Sequence, residues 1–103
     1  METITQLETF ETLKNKHEIL IVIAKTHSCA TCKAINAHLQ STIPSLKDIP
    51  HYQIFVDDVE DFRGSYVVFS VPTVLVFING KEYLRESRFI DTNKINRLLE
   101  NYQ

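Results

Sequence analysis

Tryptophan is absent from this sequence, glycine and cysteine occur only twice each, and the longest uninterrupted apolar run is Ile19 to Ala24. That run falls far short of the ~20 residues a membrane-spanning helix requires. The N-terminus, Met1-Glu2-Thr3-Ile4, lacks the positive region and apolar stretch of a secretory signal peptide. Lysine and arginine are scattered without a basic run, and the formal net charge is −2 with a pI near 6.0. This balance speaks against nucleic acid or an anionic membrane as the main partner. There is no second cysteine pair to complete a four-ligand structural zinc site. No repeat, low-complexity tract or linker divides the 103 residues, so 1–103 reads as a single domain. A domain of this size buries roughly 60–68% of the surface its unfolded chain exposes, enough to fold without staples. Two cysteines without a signal sequence suggest a reducing compartment, with the cytoplasm as the expected location.

What is present concentrates in His27-Ser28-Cys29-Ala30-Thr31-Cys32-Lys33. Both cysteines lie here, between a β-branched apolar run and a stretch with helical spacing. If Cys29 and Cys32 open a helix, their sulfurs stand about one turn apart, close enough to bridge. Free N–H groups and the positive end of the helix dipole stabilise a thiolate there and lower its pKa. Ser28 is the candidate N-cap. His27, if protonated, would add to this effect; the competing reading is an exposed loop histidine. Lys33 also offers positive charge, or points to water. His17, His38 and His51 read as scattered surface residues.

The rest of the chain gives alternating signals. Thr5-Gln6-Leu7-Glu8 has the form of a capping box ahead of Leu7, Phe10 and Leu13, predicting a helix over about 5–16. Ile19 to Ile23 predicts a strand buried on both faces. Cys32, Ile35, Leu39 and Ile43 continue the cysteine helix until Pro44, which cannot donate within it. Tyr52 to Val56 predicts a second strand ended by Asp57-Asp58, with a short helix or turn over about 58–66. The acidic group Asp57, Asp58, Glu60 and Asp61 fits a solvated strand end and helix N-terminus better than a metal site. Thr73 to Ile78 is a strand, Asn79-Gly80 is a strong hairpin signal, and the chain returns over Glu82 to Phe89. Asp91 or Thr92 then caps a terminal helix carrying Ile95, Leu98, Leu99 and Tyr102 on one stripe. The predicted order is α-β-α-β-α-β-β-α, an α/β sandwich. Its helix-linked strands are expected to pair in parallel, with the hairpin adding an antiparallel edge.

A strand, then Cys29-Ala30-Thr31-Cys32 opening a helix, then Val71-Pro72-Thr73 entering the next-to-last strand resembles the thioredoxin family over nearly the whole chain. The resemblance implies a thioredoxin-like three-layer sandwich, with a central mixed sheet and helices on both faces. It implies that Cys29 is the attacking thiolate and Cys32 the buried resolving thiol. It implies that Val71–Pro72 is cis, that Pro72 sits beside the cysteines, and that the backbone of Val71 pairs with an extended substrate. The implied activity is thiol–disulfide exchange with protein or small-thiol substrates, by a monomer needing no cofactor and no metal. A thiol reductase or low-molecular-weight thiol would close the cycle.

The departures are specific. Thioredoxins proper carry Trp-Cys-Gly-Pro-Cys, where this sequence has Ser28-Cys29-Ala30-Thr31-Cys32 and no tryptophan to provide a flat contact surface. The position of the buried aspartate common in the family holds Ile23, and the lysine that pairs with it matches Gln53. The first strand of the family is missing or reduced to Thr3-Ile4. Two other readings stand beside exchange. One is a thioredoxin-like binding module that holds a client protein without turnover. The cysteine loop is also similar to that of small copper chaperones, where soft thiolates suit Cu(I). Those domains are shorter and have no counterpart of Val71-Pro72-Thr73.

Overall fold

The sheet is built outward from β2, Ile19–Lys25, in which all residues are buried. The computed structural model describes residues 1–102. On one side of β2 lies β3, His51–Phe55, in parallel, and beyond it β1, Glu2–Ile4, also parallel to β3. On the other side lie β4, Thr73–Ile78, and then β5, Lys81–Ser87, both pairings antiparallel. The strand order is therefore β1-β3-β2-β4-β5.

Side chains alternate across a strand, and this sorts β2 between two apolar clusters. Ile19, Ile21 and Ile23 pack with Ile35 and Leu39 of α2, Ile35–Thr42, and with Ile95 and Leu99 of α4, Thr92–Asn101. Leu20, Val22 and Ala24 face the other way, toward Phe10 of α1, Leu7–Lys16, and Phe62 of α3, Glu60–Ser65. Helices thus cover both faces of a mixed sheet, in the three layers expected.

Some details differ from the sequence reading. The chain opens with a strand, making the order β-α-β-α-β-α-β-β-α. β1 is too short to show a period of two, yet Ile4 is only 2% exposed and packs with Phe10 and Ile54. β4 is antiparallel to β2, although a helix precedes it. The reason is length: α3 spans Glu60–Ser65, roughly 9 Å at 1.5 Å per residue, and does not carry the chain back along the sheet. β4 therefore starts from the end at which β3 finished. The N-cap of α1 is Gln6 and makes no side-chain capping bond, so the Thr5 capping box does not form.

Other local signals act as read. α2 stops at Thr42, and Pro44 opens a 3-10 turn, Pro44–Asp48. Asn79 and Gly80 turn the hairpin with φ of 51° and 80°, the left-handed region that Asn and Gly tolerate best. Asp91 caps α4 by accepting from the Lys94 N–H at 3.2 Å.

Candidate active site

Cys29 and Cys32 stand just past the C-terminal end of β2 and are joined as a disulfide, with their Cα atoms 5.3 Å apart. They do not open a regular α-helix. The Cys29 N–H is taken by the Thr26 carbonyl at 3.3 Å, a tight turn, and a 3-10 turn over Thr31–Ala34 follows before α2 begins. Ser28 is consequently exposed and caps nothing. The sulfur of Cys29 takes that part instead, accepting the Cys32 N–H at 3.2 Å, with the Thr31 hydroxyl oxygen 3.3 Å from the same atom. Exposure of the pair is unequal. Cys29 is half-buried, whereas Cys32 is 2% exposed.

Val71–Pro72 is cis, and Pro72 is buried. Pro72 shares a cleft of about 500 Å3 with Thr31, Ile35, His38, Arg88 and Phe89, which sets it against the cysteine turn. Val71 is half-buried, and its N–H and C=O have no backbone partner among the described residues. The neighbouring Pro72 carbonyl, in contrast, accepts the Arg88 N–H at 2.8 Å. Phe89 is 92% exposed at the rim, an aromatic surface in a chain without tryptophan. The sequence reading passed over Phe89, because a lone aromatic ending a strand carries no distinguishing spacing.

A second cleft, about 240 Å3, is lined by both cysteines with Lys25, His27, Lys33 and Phe55. His27 is exposed, as the competing reading held, but it is not free. Its Nε2 lies 2.7 Å from Asp58 Oδ2, and its backbone N–H donates to Asp57 Oδ2 at 3.2 Å. The hydrogen bond to Asp58 raises the pKa of the imidazole above its ordinary value, and the charges of Asp58 and Asp57 add to it. His38 is exposed; His17 and His51 are half-buried, and His51 Nδ1 lies 2.6 Å from the Ile49 carbonyl.

Lys25 was not singled out by the sequence reading. It is 6% exposed and donates to Gln53 Oε1 at 2.7 Å. Asn36 Nδ2 reaches the same oxygen at 3.4 Å, and Gln53 Nε2 donates to Thr3 Oγ1 at 2.8 Å. Ile23, paired in register with Gln53, lies wholly in the apolar core.

A disulfide-bonded Cys-X-X-Cys turn thus stands at the end of β2, with a cis-proline lining the cleft beyond Thr31. The family model described as Thioredoxin matches residues 1–102. The chain belongs to the thioredoxin family. It is 29% identical to the thioredoxin-like protein YdfQ of Bacillus subtilis over 103 residues, covering 97% of this chain and 92% of that one. It is 33% identical to the thioredoxin of Mycoplasma genitalium over 73 residues, covering 71% and 72% of the two chains. In fold it is similar to Plasmodium falciparum thioredoxin, with a TM-score of 0.83 at 20% identity over the full length of both. Oxidised mitochondrial thioredoxin 3 of Saccharomyces cerevisiae gives 0.81 at 19% identity, over 98% of this chain and 94% of that one. A thioredoxin carrying a Cys-X-X-Cys pair is a thiol–disulfide oxidoreductase, and that is the general activity of this chain. Among the described residues, no helix is long and apolar enough to cross a membrane.

Proposed function

We propose that this chain is a single-domain, monomeric, cytoplasmic oxidoreductase that reduces protein disulfides, with Cys29 attacking and Cys32 resolving. The observation that carries the reading is the unequal exposure of the bonded pair, since the attacking sulfur must be reachable and the resolving one shielded. Cys29 is also the sulfur that accepts an N–H, a contact that strengthens when the acceptor is a thiolate. Attack by Cys29 on a substrate disulfide forms a mixed disulfide and expels one substrate thiolate. Cys32 then loses its proton and attacks the Cys29 sulfur, expelling the second substrate thiolate and restoring the bond between the two cysteines. The N–H and C=O of Val71, which have no backbone partner among the described residues, would hold an extended substrate segment, with Pro72 and Phe89 flanking it. A thiol reductase or a low-molecular-weight thiol returns the pair to the dithiol.

The deciding experiment is trapping. Cys32→Ser should accumulate a mixed disulfide through Cys29 with a disulfide-containing protein, and Cys29→Ser should accumulate none. Equal trapping by both variants would refute the division of roles.

A further inference from the structure

β2 ends on a lysine for which disulfide exchange as described has no use. By alternation Lys25 falls on the same sheet face as Ile21 and Ile23, the face covered by α2. Its ammonium meets only the neutral carbonyl oxygen of Gln53 and forms no ion pair with a carboxylate among the described residues. Asn36, one helical turn beyond Cys32, shares that oxygen, while its own Oδ1 is buried without a partner. The cleft that Lys25 lines is also lined by both cysteines.

A buried cation without a counter-charge is costly, and burial accordingly pulls the pKa of Lys25 below its ordinary value. In the disulfide state no group lining this cleft is anionic. From the cysteine turn Lys33 faces it with the same sign as Lys25. From the loop after β2, His27 faces it with any charge already matched by Asp58 outside. Phe55 of β3 adds none. His38, Arg88 and Asp91 line the neighbouring cleft beyond Thr31. Reduction of the pair introduces the missing anion, a thiolate.

We infer that Lys25 is the counter-charge of the reduced dithiol, its ammonium stabilising the thiolate that forms on the cysteine turn across the cleft they share. This rests on the exchange reading and adds to it the residue that sets the redox balance. The dithiol monoanion passes two electrons to the substrate disulfide. The new bond joins Cys29 and Cys32, one substrate sulfur leaves as a thiolate, and the other takes the Cys32 proton. The charge beside Lys25 thus disappears on oxidation. Lys25 is a positioning charge here and takes no part in the bond exchange itself.

The test compares Lys25→Met, which keeps the apolar stem, with Lys25→Arg, which keeps the charge. An opposite charge close by lowers an acid's pKa by about 1–3 units. Lys25→Met should therefore raise the lower thiol pKa by at least about one unit, seen as ultraviolet thiolate absorbance, and slow iodoacetamide alkylation about tenfold below that pKa. Lys25→Arg should restore most of the rate. In a glutathione redox equilibrium, Lys25→Met should shift the constant about tenfold toward the disulfide, or about 30 mV. That shift should be full above both thiol pKa values and vanish well below them, a pH signature that lost packing would not produce.

Coupling is reciprocal, so in the unaltered protein the Lys25 amine should titrate at higher pH in the dithiol than in the disulfide form, read by NMR of its Cε. Identical Lys25 titration in the two redox states overturns the inference, as does an unchanged thiol pKa in folded Lys25→Met. Failure of Cys29 to trap a substrate, with the Lys25 coupling present, would remove the attacking role of Cys29 and leave the counter-charge standing.

Discussion

The ring of His27 lies flat on that of Phe55, centroids 4.0 Å apart and planes 6° from parallel. This stacking orients Nε2 toward Asp58, 2.7 Å away, at the rim of the cysteine cleft. The loop that carries the cysteines is thereby fastened to the end of β3 through side chains from both.

Asp58→Asn should lower the His27 pKa toward the ordinary value near 6.5, because the hydrogen bond to a carboxylate is the main cause of its elevation. The folded pKa exceeds the unfolded one. The pair's stabilisation is therefore complete below the unfolded histidine pKa and is lost as pH rises through the folded value. NMR titration of His27 Cε1–H measures the shift. A denaturation series across pH should show this pH dependence flattened in Asp58→Asn.

Phe10 should be the most costly aromatic to lose. It is fully buried and meets Phe62, Tyr66 and Phe77 edge to face at 5.1, 5.0 and 5.3 Å. Phe10→Ala should cost about 3–5 kcal/mol, since the rings of α3, its C-cap residue and β4 cannot all close the void. Urea denaturation measures this loss. In the folded fraction the glutathione redox equilibrium should not change, because this cluster lies on the sheet face opposite α2.

Asp91→Ala should destabilise by about 1 kcal/mol, the usual worth of an N-cap. The bond it removes satisfies the Lys94 N–H at the start of α4. Asp91→Asn keeps an accepting oxygen and should recover most of the loss, whereas an equal loss in both variants would point to charge instead of capping. Thermal denaturation of the three proteins separates these outcomes.

The fold was legible because its signals were redundant. The β-branched run of β2, Asn79-Gly80 and the stripe of α4 each imply one element by more than one criterion; the Cys29–Cys32 bridge followed from spacing, and the cis bond before Pro72 from the resemblance to the thioredoxin family. What was not legible depended on contacts across the chain. β1 owes its existence to pairing with β3, which three residues cannot announce. The direction of β4 follows from the shortness of α3, not from its presence. Ser28 has the right chemistry for a cap, yet the Thr26–Cys29 turn places the helix start beyond it. Lys25 was hidden for the same reason: at the end of an apolar run it reads as the point where a strand reaches solvent. Only the fold shows that the strand is still covered there.

The connector that delivers Val71 and Pro72 to the site contains a stored cost at Val67. Its φ is 54°, a region that β-branched residues rarely adopt, and its side chain is 55% exposed, so burial offers little return. The conformation is held from β5. The guanidinium of Arg85 donates to the Tyr66 carbonyl at 2.6 Å and the Val67 carbonyl at 2.8 Å. Glu82 fixes that guanidinium at 2.7 and 2.9 Å. Val67→Gly should therefore stabilise the protein by about 1 kcal/mol, the approximate penalty of a left-handed backbone for a residue with a Cβ. Arg85→Met should destabilise by about 1–2 kcal/mol through loss of charge-assisted bonds at a partly exposed site. The two effects should not be additive. Once Arg85 no longer holds the turn, Val67 is free to relax, so Val67→Gly should gain less in the Arg85→Met background than in the unaltered chain. A double-mutant cycle by urea denaturation measures the difference. Full additivity would mean that Arg85 does not impose the backbone of Val67.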